Sequence, residues 1–121
     1  MKILRASEDY LEAMLMMERK HGFIRSVDVA EYLSVSKPSV TYATKRLRES
    51  GHITMEKGGR IALTAAGMEI AETMLRRHQA LTDILISLGV RPEIAERDAC
   101  RMEHDLSRES FDAICAVMRK R

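Results

Sequence analysis

Tryptophan is absent from this sequence, and with two phenylalanines and three tyrosines the aromatic share is only 4% of 121 residues. Nine methionines and many leucines and isoleucines fill the apolar quota instead, which points to a helical core. Two cysteines, Cys100 and Cys115, exclude a disulfide framework. Two prolines and six glycines, with no Pro/Gly/Ser-rich tract, low-complexity stretch or internal repeat, exclude domains tethered by a flexible linker. There is no apolar run of about 18 residues and no signal peptide, so no membrane partner is expected and the expected compartment is a reducing, bacterial-type cytoplasm. No His-Glu-x-x-His, nucleophile elbow or phosphate loop occurs, so the chain is not expected to be an enzyme or to turn over a small-molecule substrate. A net charge of +2 is too small to imply a nucleic-acid partner by itself.

What is present is distributed unevenly. Residues 1–64 hold 11 Lys and Arg against 8 Asp and Glu, net +3, whereas residues 65–121 hold 9 against 10, net −1. The basic excess concentrates in residues 36–60, where Lys37, Lys45, Arg46, Arg48, Lys57 and Arg60 oppose only Glu49 and Glu56. Caps and periodicity predict a helix over about 8–20 with Ser7 as its N-cap and Gly22 as its stop. Ser26 is the expected cap of a short helix, Ser34-Val35 a turn, and Ser36 the cap of a second helix that tolerates Pro38 in its first turn and ends at Gly51.

Two short helices a few residues apart match a helix-turn-helix, with Val40, Ala43 and Leu47 directed inward. A β-hairpin follows, His52–Glu56 and Ile61–Thr64 around Gly58-Gly59, whose glycines permit a tight turn. Together they predict a winged helix. Ser39, Thr41, Tyr42 and Lys45 are the candidates for base edges in the major groove, and Lys37, Arg46, Lys57 and Arg60 for phosphates.

In the second half, Thr64 caps a long helix to about Leu88, with Ala71, Met74, His78, Leu81, Leu85 and Leu88 as a packing seam. Pro92 opens the next helix, and Ser107 caps a last one bearing Phe111, Ile114, Cys115 and Met118 as an apolar stripe. Such a stripe needs a partner, and a second copy of the chain fits a two-fold DNA site. The fold class expected is therefore mainly α: a winged helix-turn-helix DNA-binding domain over 1–64 with a small β-hairpin wing, then an α-helical metal-binding and dimerisation domain over 65–121.

Metal binding enters through Cys100-x-x-Glu103-His104, three ligand types that share one face of any helix carrying them all. Asp9 and Glu12, at i and i+3, form a second set, and His78 stands inside the apolar seam. Hard carboxylate oxygens suit Mn²⁺, a thiolate shifts preference toward Fe²⁺, Co²⁺ or Zn²⁺, and imidazole suits all of them. Asp9, Glu12, Glu103 and a Cys100 thiolate would balance two divalent ions, although Cys100 could instead offer its backbone carbonyl. His21 and His52 lack such company and read as surface or packing residues.

The stretches Ser7-Glu8-Asp9-Tyr10-Leu11-Glu12, Val35-Ser36-Lys37-Pro38-Ser39-Val40-Thr41, Leu63-Thr64-Ala65-Ala66-Gly67, Arg77-His78 and Cys100–Ser107 resemble the diphtheria toxin repressor family of metal-dependent regulators. The resemblance spans essentially the whole chain, with a length similar to the two-domain manganese transport regulators. It implies a metal site at Asp9, Glu12, His78, Cys100, Glu103 and His104, holding one or two ions per subunit. Asp9 matches the manganese branch and Cys100 the iron type, while Thr82 and Glu96 stand at the ligand positions of an ancillary site found in iron-type members. The resemblance further implies a homodimer on an inverted-repeat operator in double-stranded DNA, a repressor of metal-uptake genes activated by Mn²⁺ or Fe²⁺, with Co²⁺ or Zn²⁺ able to substitute in vitro. A winged-helix regulator indifferent to metals is the main alternative, and a metalloenzyme a weaker one.

Overall fold

The computed structural model describes residues 5–119; the first four residues of the expected domain 1–64 and the last two of 65–121 lie outside the described residues. In chain order the elements are α1 (Arg5–His21), β1 (Ile24–Arg25), α2 (Ser26–Leu33), α3 (Lys37–Glu49), β2 (Ile53–Met55), β3 (Arg60–Leu63), α4 (Ala65–Ser87), α5 (Pro92–Met102) and α6 (Arg108–Arg119). They divide into two compact units, one up to Glu72 and one from Thr73, the division falling inside α4.

In the first unit Ser7 lies within α1 (Arg5–His21) and is not the expected cap. Glu8 near its start and Arg19, Lys20 and His21 in its last turn complement the helix dipole. Gly22, at φ 84°, closes it. Tyr10 through Leu15 are buried without interruption, so α1 is covered around its whole circumference there.

The helix-turn-helix forms as the caps require at its second helix. Ser36 accepts a hydrogen bond from the Ser39 amide at 3.2 Å, and Pro38 sits in the first turn of α3. Its first helix departs from expectation: Ser26 lies inside α2, and Arg25, in extended conformation, occupies the cap position without a side-chain cap. The reason is β1, which pairs Ile24 with Ile61 and Arg25 with Arg60 and runs straight into α2. The wing is thus a three-stranded antiparallel sheet in the order β1-β3-β2, not a hairpin alone. That extra pairing also draws Arg60 into β3, one residue before the expected strand start.

Inward from these elements lie Leu11, Met14, Leu15, Ile24, Val29, Val40, Leu47, Ile53 and Ile61, all buried. On α3 the inward set is Val40, Thr44 and Leu47, with Ala43 only half-buried. Thr44 tolerates burial because its hydroxyl donates to the Thr41 carbonyl at 3.0 Å. At the start of α4, Thr64 accepts from the Gly67 amide at 3.2 Å as the cap motif requires. Gly67 is obligatory for packing, since a Cβ there would collide with the His52 carbonyl.

In the second unit, Leu81 on α4 and Ala95 and Ala99 on α5 are buried. The α5 helix stops at Met102, with Glu103 at its C-cap and a turn through Asp105. Glu103 and His104 are therefore turn residues, whereas the sequence pattern placed them on the helix itself. Ser107 caps α6 by accepting from the Ser110 amide at 3.1 Å. No residue of α6 is buried, although Phe111, Ile114, Cys115 and Met118 recur along one side and Val117 is 62% exposed. No helix among the described residues is long and apolar enough to cross a membrane.

Candidate functional site

On the first unit, α3 presents Lys37, Ser39, Thr41, Tyr42, Lys45 and Arg46 to solvent, so every residue of this helix expected to meet DNA is accessible. Their side chains are not equally available. Ser39 Oγ lies 2.9 Å from Ser36 Oγ, and Thr41 donates to the Lys37 carbonyl at 3.0 Å, so both hydroxyls are partly committed to the helix. Arg46 donates to the Tyr42 hydroxyl at 3.2 Å and lies over its ring, giving a braced aromatic–guanidinium pair. Lys57 and Arg60 are exposed at the wing.

Sequence reasoning missed Arg25. It stands opposite Arg60 across the β1–β3 ladder, and both guanidinium carbons lie near the Phe23 ring centroid, at 4.7 and 4.9 Å. Two like charges in register repel. The ring they share offsets that cost through cation–π attraction to each guanidinium. Nothing in the sequence pattern marks a two-residue strand, so this pair was invisible before the fold.

The same unit carries the first acidic set. Asp9 is half-buried and Glu12 buried on α1, three residues apart, with an oxygen of each within 4.8 Å of the other. Two carboxylates that close raise each other's free energy when both are ionised, which a divalent cation relieves.

The second unit holds the histidine set. Nδ1 of His78 on α4 lies 3.1 Å from Oε2 of Glu103, whose side chain is 0% exposed. His104 brings Nε2 to 3.4 Å from Oε1 of the same carboxylate, and its side chain is 1% exposed. Glu103 Oε1 is buried without a hydrogen bond among the described residues. A buried carboxylate oxygen in that state is costly and matches the chemistry of a divalent-ion ligand, and the imidazoles beside it complete an N/O donor set suited to Mn²⁺ or Fe²⁺. The hydrogen bond that His78 donates to the Glu103 carboxylate raises its pKa, burial lowers it, and the charges of Glu103 and Glu96 raise it further, for a net upward shift.

Cys100 differs from its expected companions. Its residue is exposed on α5 and is in no disulfide, while Glu103 and His104 follow the helix end. Of the ancillary positions, Glu96 is exposed and reaches His78 Nε2 only at 3.9 Å, and Thr82 donates its hydroxyl to the His78 carbonyl at 2.7 Å. Arg77, which the motif analysis left without a role, donates from Nη1 to the carbonyls of Glu103 and Leu106 at 3.0 and 2.7 Å. His52, half-buried, makes a 2.7 Å hydrogen bond with Ser50, in keeping with a packing role.

Known proteins share this arrangement of parts. Residues 2–60 match the model for the iron dependent repressor N-terminal DNA binding domain, and residues 64–121 the iron dependent repressor metal binding and dimerisation domain. The transcriptional regulator MntR of Escherichia coli O157:H7 is 43% identical over 106 residues, covering 88% of this chain and 68% of the relative. The chain belongs to the iron-dependent repressor family. The HTH-type transcriptional regulator MntR of Geobacillus kaustophilus is 35% identical over 107 residues, covering 88% of this chain and 76% of the relative. Among solved structures, a manganese-dependent transcriptional repressor in complex with manganese superposes with a TM-score of 0.81 at 27% identity. The match covers 91% of this chain but only 51% of that one, so the present chain spans about half its length. A hypothetical protein from Sulfolobus solfataricus shares the fold at a TM-score of 0.72, over 98% of this chain and 92% of its own, at 17% identity. Membership makes this chain a transcriptional regulator with a DNA-binding domain and a metal-binding, dimerising domain, and its relatives bear the names of transcriptional regulators.

Proposed function

We propose that the chain is a Mn²⁺-activated repressor of metal-uptake genes that binds an inverted-repeat operator as a homodimer and has no catalytic activity. In this reading Asp9, Glu12, His78, Glu103 and His104 are the ligands of one or two ions. The observation that carries it is the buried, unsatisfied Glu103 Oε1 beside two imidazoles. Manganese is placed before iron because the donors Asp9, Glu12 and Glu103 are hard carboxylates, while the one soft donor, Cys100, is exposed. The naming of the relatives as manganese regulators points the same way.

Without an ion, the clustered carboxylates repel and no single geometry is favoured. With the ion bound, two recognition helices are held at a fixed separation, which half-sites about 34 Å apart reward. The ion's preference for that competent state is the coupling between metal and DNA. Lys37, Arg46, Lys57 and Arg60, with Arg25 added, serve the phosphates, and Ser39, Thr41, Tyr42 and Lys45 the base edges. Selection from a random duplex pool tests this reading. In MnCl₂ the protein should enrich an inverted repeat, and in chelator it should enrich nothing; recovery of the same repeat in both refutes metal activation.

A further inference from the structure

Arg77 is a motif residue that neither DNA reading nor metal ligation uses, and its surroundings are specific. It precedes His78 on α4, and its Nη1 donates to two backbone carbonyls, Glu103 at 3.0 Å and Leu106 at 2.7 Å. Those carbonyls bracket the turn that carries Glu103 and His104. The Glu103 carbonyl, at the C-cap of α5, lies where a helix lacks intrahelical donors and where its dipole favours a cation. The guanidinium also lies over the Phe111 ring of α6, 5.4 Å from its centroid. No carboxylate among the described residues forms an ion pair with Arg77, so its charge is directed at carbonyl oxygens and a ring, groups whose positions it sets without neutralising them.

We propose that Arg77 is a positioning residue for the metal centre: it fixes the Glu103–Leu106 turn against the α4 turn that carries His78, and links that turn to the apolar helix α6 through Phe111. The inference rests on the reading that His78, Glu103 and His104 are ligands. Because adjacent residues of one helix hold both His78 and the carbonyls of the turn, a change at position 77 alters where two ligands stand without removing any donor. Groups of this kind affect metal affinity by about 10–100-fold when lost.

The test uses the whole protein and metal salts alone. Calorimetric titration with MnCl₂ should show Arg77→Met, which keeps bulk but has no donor, binding about 10–100-fold more weakly than wild type. The visible spectrum of the Co²⁺-loaded variant should shift as well, which a loss of fold stability alone would not cause. Arg77→Lys, which keeps charge and N–H donors, should recover part of the affinity and of the spectrum, and it decides the matter if Arg77→Met does not fold. Wild-type Mn²⁺ affinity and a wild-type Co²⁺ spectrum in these variants, with Glu103→Ala unable to bind, would overturn the role of Arg77 and leave the ligand assignment intact. Wild-type Mn²⁺ binding by Glu103→Ala would overturn both.

Discussion

Glu103 is a buried carboxylate with one oxygen shared with His78 and the other without a hydrogen bond among the described residues. If that second oxygen awaits a cation, Glu103→Gln should leave the metal-free protein folded and remove most of the stabilisation that metal brings. Mn²⁺ at about 100 times its Kd adds about 2.7 kcal/mol to a protein that binds it only when folded. Scanning calorimetry with and without MnCl₂ should therefore show a melting-point rise of several degrees for wild type and little for Glu103→Gln. An equal rise in both would remove Glu103 from the site. His78 makes a second prediction through its raised pKa, which arises first from its hydrogen bond to Glu103. A histidine whose folded pKa lies above the ordinary value of about 6.5 contributes stability that is complete below that value and is lost as pH rises through the folded one. In chelator, wild type should melt higher near pH 6 than near pH 8 by a margin that His78→Gln reduces. Metal binding must displace the same proton, so Mn²⁺ affinity should fall as the solution is acidified.

The elements were legible where a side chain itself makes the local bond. Ser36, Thr64 and Ser107 each cap the helix that their spacing foretold. The errors fall where a tertiary contact decides. Ser26 does not cap α2 because β1 pairs with β3 and leaves Arg25 at the helix entrance. Glu103 and His104 leave the helix because α5 ends at Met102, and carbonyls beyond that end are taken by Arg77 from 26 and 29 residues away, which no local pattern could reveal. Gly67 shows the same limit, being visible in the sequence as a motif residue but explained only by the His52 carbonyl pressed against it. Because that neighbour is backbone and already accepts from the Thr64 amide at 3.1 Å, it yields poorly. Gly67→Ala should cost about 1–3 kcal/mol, read as a lowered urea midpoint with an unchanged slope; a neutral result would show that the wing and α4 shift apart freely.

At the scale of the molecule, charge already set a basic first part, net +3 over residues 1–64, against a second part of net −1, and the family models match a DNA binding domain over 2–60 and a metal binding and dimerisation domain over 64–121. The proposed ligands differ in burial. Glu12 and Glu103 are buried and Asp9 and His104 half-buried, whereas Cys100, inside α5, is an exposed residue. The apolar side of α6, with no buried residue within one chain, fits a surface that a second copy covers in a dimerising family. The central claim is that metal binding, with Asp9 and Glu12 among the proposed ligands, gates DNA binding. Fluorescence anisotropy of a labelled inverted-repeat duplex, titrated with protein in chelator and in saturating MnCl₂, tests it most directly. Wild type should bind about 5–150-fold more tightly with Mn²⁺, the usual range of allosteric coupling, and Asp9→Ala/Glu12→Ala should bind weakly in both conditions. Equal affinity in chelator and Mn²⁺ for wild type, or a full Mn²⁺ response in the double variant, would contradict it.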